Sequence, residues 1–216
     1  VKIYSIFSSV DGEVNNRGMG AMTTFVRLAG CSADCSYCDT EYAKSSDSGV
    51  DLTIAEIMQK IASNDCNNVT ITGGEPLEQF FELSYLVEAL NENEYNVSIE
   101  TNGLQPFTKL HTPWNKAHWV VDLKKETNQT AKMFQNMHLD RNDYIKMVIG
   151  SYDQFIHACD IKRGMQLLNE QATFAFSPEY GVVSPDELLK WMKQHKQMDA
   201  VLNVQLHKIL SLTEAN

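Results

Sequence analysis

Thr24-Phe25-Val26-Arg27-Leu28-Ala29-Gly30 runs directly into Cys31-Ser32-Ala33-Asp34-Cys35-Ser36-Tyr37-Cys38. The first stretch, β-branched or apolar at most positions, predicts a strand over residues 24–28. The three cysteines then share one loop at that strand's carboxyl end, where α/β sheets and barrels carry their ligand sites. The chain holds five cysteines, and an odd count with three in eight residues suits neither a disulfide framework nor a chance scatter. A structural zinc site takes four ligands, yet the next cysteine is Cys66 and the first histidine is His111. Three thiolates leave one metal position open, as a cubane iron–sulfur cluster with one free iron would. A non-enzymatic zinc module remains the alternative on ligand type. Cys66 and Cys159 have no partner at ligand spacing and read as small buried hydrophobes.

Outward from this loop, apolar β-rich runs alternate with helical patterns, the signature of a parallel sheet with crossover helices. Further strands are expected over residues 69–72, 97–100, 119–123, 144–149, 173–176 and 200–205. Thr53 followed by Glu56 is a capping box that opens the apolar stripe Ile54, Ile57, Met58 and Ile61, and Ser184-Pro185-Asp186-Glu187 opens a second helix. A third helix is expected from about Leu77, carrying Phe81, Leu83, Leu86, Val87 and Leu90, and a fourth from Ser151. Two crossovers, 102–118 and 124–142, read as poor in helix because glycine, proline and polar residues interrupt them. The expected fold is α/β, a trimmed βα barrel of about six parallel strands in one domain over residues 1–216.

Composition supports a folded core, with 43% hydrophobic and 21% charged residues. Twenty-eight acidic against 18 basic side chains give a formal charge of −10, which repels phosphate backbones and anionic lipid. Neither nucleic acid nor membrane is therefore an expected partner. No apolar run reaches 18 residues and the start lacks a signal-peptide pattern, so a cytoplasmic location is expected.

The cysteine spacing, followed by Asp39-Thr40, resembles the radical S-adenosylmethionine superfamily. In that superfamily a 4Fe-4S cluster on three such cysteines chelates S-adenosylmethionine through its open iron. Thr72-Gly73-Gly74-Glu75-Pro76 leaves a strand through paired glycines, which let backbone approach a ligand closely, and resembles the motif for the methionyl amino group. Glu100 at the next strand end faces the cofactor by resemblance alone, and Asn102-Gly103 after it reads as a turn. Asp122-Leu123-Lys124 places a lysine where it could meet the cofactor's carboxylate, and Ser177, Pro178, Glu179 and Tyr180 close a later strand where adenine or ribose would lie.

The N-terminal segment Ile6-Phe7-Ser8-Ser9-Val10-Asp11-Gly12-Glu13, the strand before Cys31, and Cys38-Asp39-Thr40 together resemble 7-carboxy-7-deazaguanine synthases. Gln205-Leu206-His207-Lys208 looks like the same family's terminal strand. The resemblance implies a partial barrel and the ring contraction of 6-carboxy-5,6,7,8-tetrahydropterin, with loss of ammonia, on the way to queuosine-type or DNA deazapurines. It implies that Val10, Asp11, Gly12, Glu13, Arg27, Thr72 and His207 hold the pterin. Tyr37, Asp39, Gly73, Gly74, Glu75, Glu100, Asp122, Lys124 and the Ser177–Tyr180 loop would hold S-adenosylmethionine, and Thr40 a Mg2+ ion. The further partner implied is an electron donor such as flavodoxin or ferredoxin, with a homodimer as an open option. Asp11 stands where the family has a neutral glutamine and adds a negative charge there. Asp122-Leu123-Lys124, where the family reads Ser-Pro-Lys, looks more like the activating enzymes of glycyl-radical proteins, the runner-up reading.

Overall fold

The computed structural model describes residues 1–124, 136–168 and 171–212. Among them nine strands form one open sheet: β1 Lys2–Val10, β2 Met22–Leu28, β3 Val50–Asp51, β4 Asn68–Gly73, β5 Asn96–Thr101, β6 His118–Leu123, β7 Tyr144–Ile149, β8 Thr173–Pro178 and β9 Val201–Leu202, in the order β3-β1-β2-β4-β5-β6-β7-β8-β9. Seven of them, β2 and β4 to β9, run parallel, one for each strand drawn from the sequence and one more than the six expected of the trimmed barrel. The helices are α1 Ile54–Ala62, α2 Phe80–Glu92, α3 Tyr152–Leu167, α4 Pro185–Gln194 and α5 Leu206–Ile209. The trimmed, unclosed βα architecture expected from the sequence is the one found.

Strand β1, not anticipated, pairs antiparallel with β2 and covers an edge that would otherwise expose unpaired backbone groups. The capping box forms as expected, with Thr53 N donating to Glu56 Oε2 at 2.8 Å and Glu56 N to Thr53 Oγ1 at 3.3 Å. Ser184 caps α4 through Glu187 N at 3.1 Å, and Ser151 caps α3. The third helix starts later than expected. Glu75 takes Leu77 N at 2.9 Å, so Pro76–Gln79 turn as a 3-10 segment and the α-helix opens at Phe80.

Alternation along the strands divides the sheet's two faces. Val26, Leu28, Val69, Ile71, Val97, Ile99, Trp119, Val121, Ile145, Met147, Phe174 and Phe176 belong to the main core, packed with Ile57, Leu83, Leu86 and Phe155 of the helices. The intervening residues face the other way, among them Phe25, Arg27, Thr72, Glu100, Val120, Asp122, Lys146 and Val148, and line a cavity.

The crossover between β5 and β6 lacks an α-helix, as its prolines suggested, and aromatic rings fill the space. Phe107 stacks on Trp119 with centroids 4.2 Å apart, and Trp114 lies 5.7 Å from Trp119 and 4.8 Å from Phe80. Lys109 pins this segment by bonding Asp143 at 2.8 Å and Asp140 at 2.6 Å. Of the second crossover, residues 125–135 lie outside the described residues, as do the last residues, 213–216.

The carboxyl-terminal reading needs correction. Only Val201–Leu202 pair with β8, and Leu206–Ile209 form one helical turn instead of a terminal strand. Leu206 N donates to Gly12 O at 2.9 Å, so this segment docks on the loop after β1 and leaves the sheet.

Asp143 is fully buried and also accepts Trp119 N at 2.9 Å and Asp140 N at 2.8 Å. Replacing Asp143 by Ala leaves the buried Lys109 ammonium with Asp140 alone and removes the acceptor of two backbone N–H groups, so denaturant unfolding should show a loss of about 3–5 kcal/mol. A loss under about 1 kcal/mol, the scale of a surface pair, would show that the Lys109 anchor is dispensable.

Candidate active site

The cavity measures about 630 Å3 and lies at the carboxyl ends of the parallel strands. Its lining includes Cys31, Cys35 and Cys38 together with Val10, Asp11, Gly12, Glu13, Arg27, Tyr37, Asp39, Thr40, Thr72, Gly73, Gly74, Glu75, Glu100, Asp122, Lys124 and His207. Ser177, Pro178, Glu179 and Tyr180 are not in that lining. Ser177 is buried in β8 and accepts Asn203 Nδ2 at 3.3 Å, while Tyr180 is exposed.

The cysteine loop is clamped by backbone. Gly30 N donates to Ala43 O at 2.9 Å and Cys31 N to Lys44 O at 3.0 Å. The paired glycines at the end of β4 serve this clamp and also line the cavity. Gly73 has φ +104°, and a Cβ on Gly74 would lie 2.1 Å from Gly30 O, so only glycine allows the two loops to touch. Gly74 N donates to Leu28 O and Glu75 N to Gly30 O, both at 2.8 Å. The Glu75 carboxylate faces inward too, accepting Thr101 Oγ1 at 2.6 Å and Asn102 N at 2.8 Å, so it ties β4 to β5. Cys31 and Cys35 are half-buried and Cys38 is exposed. Burial pushes the Cys31 thiol up, with Glu75 and Glu78 adding to the effect.

Three thiols on one clamped loop, opening into one cavity, fit a cluster with an open corner. Among the described residues no group of three His, Cys, Asp or Glu side chains converges as ligands of one ion. A cubane does not need such convergence, because each of its ligands binds a different iron.

The rest of the cavity is charged, and most of the charges are paired. Asp11 is not loose negative charge at a substrate edge: Arg17 Nη2 lies 2.8 Å from Asp11 Oδ2 and also donates to Thr70 Oγ1 at 2.6 Å. Thr72 Oγ1 donates to Glu100 Oε2 at 2.7 Å. Arg27, in register with Thr72, lies over the Phe7 ring at 5.7 Å and the Tyr42 ring at 5.9 Å. His207 and Asp39 meet each other, Nε2 to Oδ2 at 3.6 Å, with Lys208 at 3.3 Å from the same oxygen. Although burial opposes it, the His207 hydrogen bond and the Lys208 charge hold Asp39 well below the usual carboxylate range. Gly12 is needed beside His207, since a Cβ there would lie 2.5 Å from His207 Nδ1.

Lys146 was missed by sequence reasoning. It lies in register with Asp122, with Nζ 3.2 Å from Asp122 Oδ2, and it also bonds Glu13 Oε2. Despite burial, Asp122, Glu13 and Glu100 hold its pKa well above the usual lysine value. The available signal was a lysine inside the apolar run Tyr144-Ile145-Lys146-Met147-Val148-Ile149. The aromatic walls Tyr4, Phe7, Phe25 and Tyr42, and the buried Arg17, were likewise passed over.

An open parallel sheet with three cysteines on the loop after its first parallel strand defines the class: a partial-barrel enzyme of the radical S-adenosylmethionine type, with a 4Fe-4S cluster and S-adenosylmethionine as cofactors. The family described as "4Fe-4S single cluster domain" matches residues 15–146. Over 97% of its length the chain is 32% identical to the 7-carboxy-7-deazaguanine synthase of Clostridium acetobutylicum, covering 95% of that protein, and 31% identical to that of Chlorobaculum tepidum, covering 94%. The crystal structure of QueE from Escherichia coli shares the fold, with a TM-score of 0.72 over 95% of this chain and 94% of that one at 22% identity. The chain belongs to the 7-carboxy-7-deazaguanine synthase family. The activase and zinc readings find no support in these relatives.

Two expectations follow. Cys31→Ala, Cys35→Ala and Cys38→Ala should each lose iron and visible absorption after anaerobic reconstitution, while Cys66→Ala should keep both. Full cluster content in Cys35→Ala would overturn the ligand set. The second concerns Glu100, which burial, then Glu13 and Asp11, push up to about 7 from 4.5. The folded state then binds more protons than the unfolded chain between pH 4.5 and about 7, so this group's contribution falls as pH rises through that window. Glu100→Gln should therefore gain stability relative to wild type from pH 5 to pH 8, by roughly 1–3 kcal/mol in denaturant midpoints. Parallel pH profiles would refute the shift.

Proposed function

We propose that the chain, as one domain over residues 1–216, converts 6-carboxy-5,6,7,8-tetrahydropterin to 7-carboxy-7-deazaguanine with loss of ammonia. The observation that carries this reading is one cavity holding the three cysteines at one side and Glu13, Arg27, Thr72 and His207 around the rest. Its volume of about 630 Å3 suits a small heterocycle beside a nucleoside cofactor. Arg27 presents a planar fork for the pterin carboxylate, stiffened by the rings of Phe7 and Tyr42. Glu13 accepts from the N–H edge of the ring, and the loop of Val10, Asp11 and Gly12 sets its position. Thr72 and His207 add polar contacts from β4 and α5.

Bound there, a cluster on Cys31, Cys35 and Cys38 and S-adenosylmethionine would supply the one-electron radical chemistry that hydrogen abstraction from the pterin needs. On that side Lys124, 2.7 Å from Asp122 and 5.5 Å from the Tyr37 ring, is placed to meet the cofactor's carboxylate. Tyr37, Asp39, Gly73 and Gly74 shape the same wall. The Thr40 hydroxyl, 3.5 Å from Gly73 O, offers a hard oxygen to a Mg2+ ion that also binds substrate. The aromatic and clamped surfaces restrict water around the reacting carbon. A flavodoxin or ferredoxin as electron donor, a cytoplasmic location, and a homodimer as an option complete the reading. Among the described residues no helix is long and apolar enough to cross a membrane.

Chromatography of the anaerobic reaction tests it. Cluster-loaded, reduced protein should yield 7-carboxy-7-deazaguanine, faster with Mg2+ than after chelation, and Arg27→Ala should weaken pterin binding by about 2–5 kcal/mol. Cluster-loaded protein that leaves the pterin intact would overturn the substrate assignment.

A further inference from the structure

Four buried charges of alternating sign cross the cavity from the loop after β1 to the end of β6: Glu13, Lys146, Asp122 and Lys124. Their side chains are 10%, 9%, 14% and 15% exposed, so water screens them little. Both lysines approach the same oxygen. Lys146 Nζ is 3.2 Å and Lys124 Nζ 2.7 Å from Asp122 Oδ2, while Asp122 Oδ1 is buried with no hydrogen-bond partner among the described residues. At the other end Lys146 also bonds Glu13 Oε2, and Gln205 Nε2 donates to Glu13 Oε1 at 2.9 Å. Glu100, from β5, is a third carboxyl acting on Lys146.

We propose that Lys146 is a positioning residue that couples the two ends of the cavity, so that occupancy of Glu13 by the substrate strengthens the hold of Lys124 on the cofactor. The physical ground is competition. Two ammonium groups on one carboxylate oxygen repel each other, and one ammonium shared by two carboxylates divides its attraction between them. When N–H donors of a ligand engage Glu13, its pull on Lys146 weakens and Lys146 leans toward Asp122. Asp122 then releases Lys124, whose charge becomes available to a ligand carboxylate. Binding linkage is reciprocal, so the cofactor favours substrate by the same factor. In this chain an aspartate at position 122 is what allows the relay, because a neutral side chain there would hold neither lysine. The inference rests on the roles proposed above for Glu13 and Lys124.

The test is a double-variant cycle read by calorimetric titration of S-adenosylmethionine into anaerobic, cluster-loaded protein. Glu13→Gln, which removes the substrate-end charge without any pterin, should tighten the cofactor by about five-fold or more while Lys146 is present. In a Lys146→Met background the same change should have an effect within about two-fold, and Lys146→Arg should keep the coupling. A purely structural lysine would weaken both ligands and leave the effect of Glu13→Gln unchanged. Equal effects in the two backgrounds overturn the proposal, as does a Glu13→Gln protein that binds the cofactor like wild type, a result that stands even if Lys146→Met does not fold. A companion titration with 6-carboxy-5,6,7,8-tetrahydropterin separates the two readings. No pterin uptake by wild type refutes the substrate assignment, while the cofactor cycle still decides the relay.

Discussion

A parallel sheet has two faces to keep from water, and among the described residues the helices that pack on it, α1 to α4, all lie on one of them. The uncovered face carries the consequence. On β2 and β4 to β7 the residues of this face nearer the carboxyl ends line the cavity, so side chains that elsewhere would be apolar are here Arg27, Thr72, Glu100, Asp122 and Lys146. Charges at such depth persist only when paired, and the cross-strand register provides one such pair, Asp122 beside Lys146. Half-barrel geometry and buried charge are thus one constraint seen twice.

The second organising contact is backbone on backbone. Gly74 meets Gly30, and Gly73 meets Leu28, at distances that admit no Cβ, which joins the loop after β4 to β2 and its cysteine loop. Glu75 extends the junction to β5 through Thr101 and Asn102. Three strand ends that carry the chemistry are therefore held relative to each other by hydrogen bonds that involve no ligand. The family's glycine and glutamate residues act in this chain as framework first, with any cofactor contact added to that framework.

Much of the site was legible in advance. The three cysteines, the paired glycines, and the polar residues closing β4, β5 and β6 reach one cavity, as expected from their positions at strand carboxyl ends. The Ser177–Tyr180 loop does not, because Ser177 turns to Asn203 inside the sheet. His207 reaches the cavity by a route that pattern reading missed, on a helical turn hydrogen-bonded to Gly12 O and not on a strand.

Sequence by itself determined what depends on local spacing: the three-cysteine loop, the capping box at Thr53 and the N-cap at Ser184, the strand periodicity, and the helix-poor crossover with its prolines. These are set by interactions within a few residues along the chain. Only the tertiary structure decided which charges neutralise which. Glu13 with Lys146, Asp122 with Lys146, and Asp39 with His207 are joined across sequence separations that no local pattern encodes. The physical reason is that burial makes a charge's cost depend on its nearest partner in space, and register between distant strands, not order along the chain, chooses that partner.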